Sequence, residues 1–462
     1  MQPTVVINVV GLTQSLLAHA PNIRRFAERG RVRRLKPVLP AVTCSVQASM
    51  LTGVTPGPTS GGHGIVGNGW YFRDSDEVRF WLRSNHLMHG EKVWDAARRR
   101  HPGFTCLNVF WRYAAYSSCD YVVIERPIYK PDGRKLPDVY SNRPDLRDDL
   151  QRTLGTFPLF RFWGPASDIQ SSRWIADATV HAHRKHQPTL TLTYLPHLDY
   201  CLQKLGPAHA DVPGHVAAID AVVGDLLDYF DVAGVRAIVV SEYGIEPVDD
   251  ALHVNRALRE ASLLRVREEE GGELLDAGAS DAFAVADHQV AHVYVRGGDD
   301  VRRVAELCRS LPGAGVEQVL GREAQRAVGL DHERSGELVL VAAPGRWFSY
   351  DYWLDPRKAP GFARTVAIHD KPGYDPLDLF FDPSLCCPKL RIAAKLLQKK
   401  LGFRTLMDFI PLDTKLVRGS HGRPPGGPDT MPVMLTQGDD TDLPDEVSCT
   451  AVKGVILSQV FD

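Results

Sequence analysis

The sequence predicts an α/β protein: a largely parallel central sheet with helices on both faces and an inserted cap subdomain. Three observations predict it. Short apolar, β-branched runs recur along the chain, helical stretches separate them, and polar residues follow several of the runs directly. Strands alternating with helices build a parallel sheet covered on both sides. In such sheets ligands sit beyond the carboxyl ends of the strands, so the residues after each run are the first candidates for a site.

In chain order, the predicted strands cover residues 4–10, 121–124, 189–195, 236–240, 292–295, 337–342 and 432–435. Helical patterns fill 90–100, 172–186 and 213–230. Val10-Gly11 follows the first strand, and Pro-His-Leu-Asp, ending at Asp199, follows the run 189–195. Ser241-Glu-Tyr-Gly244 follows the run 236–240, and Arg418-Gly-Ser-His-Gly422 precedes the last strand. Between these last two segments, 246–415 holds strands of its own and the aromatic run from Trp347 to Trp353. It reads as an insertion or cap on a core of 1–245 and 416–462. Residues 423–442, rich in Pro, Gly and Asp, are predicted as a surface loop.

The 462 residues suffice for one large domain or two ordinary ones. Lys plus Arg is 54 and Asp plus Glu is 56, a net charge of -2. No bulk field therefore draws a nucleic-acid polymer or an anionic membrane. A local basic pocket for a small phosphorylated metabolite stays open. The apolar start lacks a basic region and reads as a buried strand rather than a signal peptide. No apolar run reaches the length of a membrane span. The cytoplasm is the expected location, with the eight cysteines as thiols. No CxxC pair is followed by a second pair or by HxxxH, which argues against a structural zinc site. Nothing in the sequence sets the oligomeric state.

Taken singly, the candidate residues have two readings each. Thr43 opens a predicted helix after an extended piece, where backbone N–H groups favour an anion. It is either a nucleophile activated by a metal or only an N-cap. Asp199 and Glu242 emerge from apolar strands and are either cation ligands or turn-capping carboxylates. His421 lies between glycines that let the backbone approach something closely. His288 and His292 share a face of a strand-like alternation, as metal ligands or as satisfied histidines. Lys371 and Tyr374, in His-Asp-Lys-Pro-Gly-Tyr-Asp, either meet phosphate or belong to a plain turn.

Taken together, the pieces resemble a known family in its own order. Pro40-Ala-Val-Thr43 through Met50-Leu-Thr-Gly53 is similar to a nucleophile segment. His63-Gly-Ile-Val-Gly-Asn68, Leu195-Pro-His-Leu-Asp199, Ser241-Glu-Tyr-Gly244 and Gly419-Ser-His-Gly422 follow in sequence. The chain resembles the nucleotide pyrophosphatase/phosphodiesterase family of the alkaline phosphatase superfamily. The resemblance implies an alkaline-phosphatase-like fold. It also implies a phosphoric ester hydrolase with two divalent metals, usually zinc, in which a metal-bound Thr attacks phosphorus. Thr43 takes the nucleophile's position, and Asp199 and His421 take two ligand positions of one metal.

The other family positions are rewritten. The third ligand of that metal is Gln203 rather than His. For the second metal, the Asp before the first Gly is Val10, and the Asp-His pair is Glu242-Tyr243. Val46 replaces the Asn that supports phosphate. Val donates nothing, and Gln is a weak neutral ligand beside imidazole. Three readings follow. In the first the site is rebuilt, with Asn8 brought in by period-2 alternation and with His253, Asp287, His288, Gln289 or His292 supplied by the insertion. Asn8, Thr43, Asp199, Gln203 and Glu242 then suit Mg²⁺ or Mn²⁺ better than Zn²⁺. In the second, one metal or none remains. In the third, the chain is a non-catalytic phosphometabolite-binding protein.

The polar character of the replacements favours the first reading. Thr43 is then expected to attack, and Asp199, Glu242, His421, Gln203 and Asn8 to hold divalent cations. Asn68, Tyr243 and His288 are expected to contact the substrate.

Overall fold

The computed structural model describes residues 1–131, 134–298, 300–312, 315–437 and 443–462. Thirteen strands define two sheets. They are β1 (Thr4–Val9), β2 (Gly30–Lys36), β3 (Cys106–Val109), β4 (Tyr121–Glu125), β5 (Val139–Tyr140), β6 (Leu190–Leu195) and β7 (Arg236–Val240). The later ones are β8 (Ala282–Asp287), β9 (Val290–Val295), β10 (Val316–Leu320), β11 (Leu338–Ala342), β12 (Val433–Gln437) and β13 (Glu446–Ser448).

The central sheet has nine strands in the order β13-β2-β12-β7-β1-β6-β3-β4-β5. Its middle, β7-β1-β6-β3-β4, is parallel, while β12 runs antiparallel to both β7 and β2. Every residue of β1 and β6 is buried, as a parallel strand covered on both faces requires. That is why these two strands read as unbroken apolar runs.

Helices cover both faces. On one, α1 (Thr43–Thr52) and α5 (Val452–Phe461) pack together, with α5 against β1. On the other, α2 (Ile169–His186) and α4 (Val212–Val232) pack together over β6 and β7, and α3 (His197–Leu205) packs on α4. All ten residues of α1 are buried. Its polar members therefore need internal partners: Ser45 donates to the Ile65 carbonyl, and Ser49 bonds His63.

The second sheet is antiparallel, β8-β9-β11-β10. The predicted strand 292–295 is the later part of β9, and 337–342 is β11 with one residue more. A two-residue turn, His288-Gln289, joins β8 to β9. His288 has φ +61, so it sits in the left-handed region and not in the extended alternation expected for it. Residues 438–442 of the predicted loop 423–442 lie outside the described residues.

Register explains the position of the site. Asn8 on β1 lies opposite Tyr194 on β6 and Val240 on β7. Asn8, the first turn of α3 and the residues just after β7 therefore meet at one carboxyl edge of the sheet.

Candidate active site

Thr43 is the first residue of α1, and Val42 is the N-cap. The Thr43 hydroxyl caps no backbone group. It bonds the Tyr243 hydroxyl at 2.8 Å. Tyr243 donates to Asp199 Oδ1 at 3.2 Å, and a phenol has one hydrogen. With that hydrogen spent, the Thr43 hydrogen is directed to Tyr243 or to Glu242, which Thr43 also hydrogen-bonds, and Tyr243 links Thr43 to Asp199. Asp199 Oδ2 accepts from Gln203 Nε2 at 2.9 Å, and Gln203 Oε1 accepts from the Tyr374 hydroxyl at 2.7 Å.

On the other side, Glu242 Oε1 accepts from Asn8 Nδ2 at 2.6 Å and from Gln47 Nε2. Gln47 Oε1 is held by the Arg112 backbone N–H. Four rings close the site as a column. Tyr243 stacks on His421 at 3.6 Å, His421 on His288 at 3.8 Å, and His288 on Tyr374 at 3.5 Å.

Glycines let the His421 segment in. A Cβ at Gly419 would lie 2.3 Å from the Leu202 carbonyl oxygen, and one at Gly422 3.1 Å from the Gln289 nitrogen. The His421 backbone carbonyl accepts from Gln289, tying the segment to the β8–β9 turn.

Burial sets the charges. It pushes the Asp199 carboxyl up to about 7, against the pull of the Gln203 and Tyr243 hydrogen bonds. It pushes Glu242 up to about 8, against Gln47 and Asn8, and Asp287 up to about 6, against Asn68. Burial also drives His421 well below its ordinary value, helped by His288 beside it. A neutral His421 donates Nδ1–H to the Ala41 carbonyl at 2.8 Å, so Nε2 carries the lone pair.

Two acceptor atoms here are buried without a donor, His421 Nε2 and Asn8 Oδ1, while Glu242 also takes a hydrogen bond from Thr43. His421 Nε2 lies 3.6 Å from Asp199 Oδ1, a separation that two ligands of one cation can have. Lone pairs left unpaired in a dry site suit a cation. Among the described residues Asp199, Glu242 and His421 do not gather as one ligand cluster; only His421 and Asp199 are close. Val10 offers nothing, Tyr243 spends its hydrogen on Asp199, and Gln203 turns its N–H, not its oxygen, toward the carboxylate.

The model of the type I phosphodiesterase / nucleotide pyrophosphatase family matches residues 4–375. This chain belongs to that family. Solved structures agree in fold. Phosphonoacetate hydrolase from Sinorhizobium meliloti 1021, in complex with phosphonoformate, is 15% identical with a TM-score of 0.63, over 99% of this chain and 96% of that one. Murine ectonucleotide pyrophosphatase/phosphodiesterase 5, an inactive variant in complex with AMP, is 13% identical with a TM-score of 0.59, over 100% and 95%. The human protein of the same name is 12% identical with a TM-score of 0.60, over 99% and 95%. No protein of curated function matches the sequence significantly. Among the described residues, no helix is long and apolar enough to cross a membrane.

Several family positions thus converge, and others take different work. Thr43, Asp199, Gln203, Glu242, Tyr243, His421 and Asn8 share one network. Asn68 does not face an open space: its Oδ1 accepts from the Cys44 N–H, and its Nδ2 and N–H donate to Asp287. It ties the start of α1 to the β8–β9 turn. His288 bonds Asp287 at 2.8 Å and packs in the ring column. His292 is not available as a ligand, because its two ring nitrogens bond the Val66 carbonyl and the Gly336 N–H. His253 is committed to Asp351 at 2.7 Å. Lys371 does not reach toward phosphate; it is buried between Asp375 and Asp378, 2.6 Å from each. Gln47 escaped the sequence reading, although it lies one helical turn after Thr43, a spacing that places both on one face.

Proposed function

We propose that this member of the family hydrolyses a phosphoric ester of a small metabolite, with Thr43 as the nucleophile. The observation that carries the reading is the hydrogen-bonded link from Thr43 through Tyr243 to Asp199. A nucleophilic hydroxyl must lose its proton as it attacks. Here the proton has a path, and its end is a carboxylate that burial has made a stronger base than an ordinary Asp. Tyr243 keeps its own proton near neutrality, since burial raises its pKa, and so it passes hydrogen on rather than trapping charge. The murine relative is described as inactive when one threonine is replaced by alanine, which supports a reactive Thr at the equivalent role.

His421 and Asp199 would hold one divalent cation, which Glu242 and Asn8 would reach only by moving. Bound there, it supplies the positive charge that offsets the phosphoryl oxygens and lowers the pKa of a nearby hydroxyl. Gln203, fixed by Tyr374, keeps the Asp199 carboxylate aimed at Tyr243. The ring column, with two members from 246–415 acting as a cap, excludes water. Phosphonate and nucleotide ligands in the structural relatives support a small phosphorylated substrate.

A second reading rests on the same closure. Each of the named residues is buried, and Tyr243 fills the space between Thr43 and Asp199, as in a site that binds without turnover. Hydrolysis of bis-p-nitrophenyl phosphate and p-nitrophenyl phosphate, with Mn²⁺, Mg²⁺ or Zn²⁺ added, separates the two. Turnover that disappears in Thr43→Ala supports the enzyme. AMP binding by calorimetry with no Thr43-dependent turnover supports the binding protein.

A further inference from the structure

The back of α3 carries a second cluster. His197 and Cys201 are four residues apart and share a face of the helix, whereas Asp199 and Gln203 lie on the opposite side. His215, in the first turn of α4, comes up against them. His215 Nδ1 lies 3.1 Å from His197 Nε2, and one ligand atom from each of His197, Cys201 and His215 lies within 4.8 Å of the others. We propose that these three residues form a zinc-binding site, separate from the candidate active site.

The donor set is two imidazoles and one thiol, the types that bind Zn²⁺ at about 2.0 and 2.3 Å in tetrahedral geometry. Ligands at those distances stand roughly 3.3–3.7 Å apart, so the imidazole pair is already placed. The longest separation therefore involves Cys201 Sγ, which now donates to the Leu198 carbonyl of its own helix at 3.3 Å. Rotation about the Cys201 Cα–Cβ bond releases that contact and brings sulfur toward the rings. His197 and Cys201 are buried, and His215 is partly exposed, which leaves a fourth position open to water.

The bland reading is a His–His hydrogen bond, in which one ring proton sits between the two nitrogens. It gives Cys201 no role beyond its bond to the Leu198 carbonyl. Zinc binding would require two proton movements before the metal is taken up. The thiol proton leaves to solvent, the proton between the rings shifts to the other nitrogen of its own ring, and the metal takes the three freed lone pairs. The spacing, His-x3-Cys-x13-His, has no Cys pair. The expectation drawn from CxxC motifs therefore could not detect it. Bound metal here would brace the helix that carries Asp199 from behind.

Co²⁺ is the probe, because cobalt-thiolate bonds absorb in the near ultraviolet. The full chain, stripped with chelator and dialysed, is titrated with Co²⁺ and then with Zn²⁺ as competitor. The expected result is a sulfur charge-transfer band that saturates at one equivalent and is displaced by Zn²⁺. It is lost in Cys201→Ser, shifted at least about a hundredfold to weaker binding in His215→Ala, and kept in His421→Ala. No sulfur band, a band that survives Cys201→Ser, or a band abolished by replacing the exposed Cys386 and Cys387 overturns the proposal. Loss of turnover does not enter this test, so failure of the phosphoester reading leaves it intact.

Discussion

The two sides of the buried network keep different things. On the Asp199 side, the carboxylate, His421 and the Thr43 hydroxyl stand where the family resemblance expects them: Tyr243 hydrogen-bonds both Thr43 and Asp199, and His421 Nε2 lies 3.6 Å from Asp199. On the Asn8 side, Val10 offers no ligand atom, and the Glu242 carboxylate is held by Asn8 and Gln47. A side chain that loses a metal ligand leaves a dry gap, and dry gaps demand hydrogen-bond partners. The second side is filled by the amides of Asn8 and Gln47. The first has kept a lone pair on His421 without a donor. The difference teaches that a buried polar site can keep its hydrogen-bond order around a position, Val10, that offers no ligand atom.

The largest expected effect breaks both sides at once. Thr43→Ala should lower phosphodiester turnover by at least about 10³-fold, read in steady-state kinetics, with AMP binding retained. Tyr243→Phe comes next. The ring stack on His421 survives while the hydrogen path does not, so turnover should fall about 10²-fold with little change in melting temperature. An unchanged rate would mean that the proton leaves by another route.

A pH titration separates the sides thermodynamically. Asp287, Asp199 and Glu242 are raised to about 6, 7 and 8 in the folded chain, above the ordinary carboxyl value of about 4. The stabilisation from these protons is complete below about pH 4. It is lost as pH rises through the folded values. The metal-stripped chain should therefore melt at lower temperature at pH 8 than at pH 5, by several degrees. Glu242→Gln should flatten the upper part of that decline, and Mn²⁺ or Zn²⁺ should oppose it. Tyr374→Phe carries the smallest effect. Removing the donor to Gln203 Oε1 should cost about 1 kcal/mol in denaturant unfolding and less than about tenfold in turnover, since Gln203 Nε2 still reaches Asp199.

Much of the fold was legible because the central strands are buried on both faces. β6 and β7 lie within a residue of their predicted limits. β2, Gly-Arg-Val-Arg-Arg-Leu-Lys, was not legible: it lies near the sheet edge and carries four cations, so it has no apolar run. β3 escaped because it is four residues long and contains Asn108.

The site was legible where a motif and a strand end coincide, as at Thr43, Asp199, Glu242 and His421. It was not legible where long-range packing decides. The Tyr374–Gln203 bond spans 171 residues, and no local pattern signals it. His288 was placed on a strand face by alternation, but the two-residue turn puts it at positive φ and swings its ring onto His421.

Acid-quench mass spectrometry of the enzyme under turnover tests the central claim most directly. With a nucleotide or bis-p-nitrophenyl ester present, a peptide containing Thr43 should carry the transferred phosphoryl group on that hydroxyl and lose it when substrate is exhausted. Turnover at full rate with Thr43 unmodified at every quench time, and undiminished in Thr43→Ala, would contradict the account.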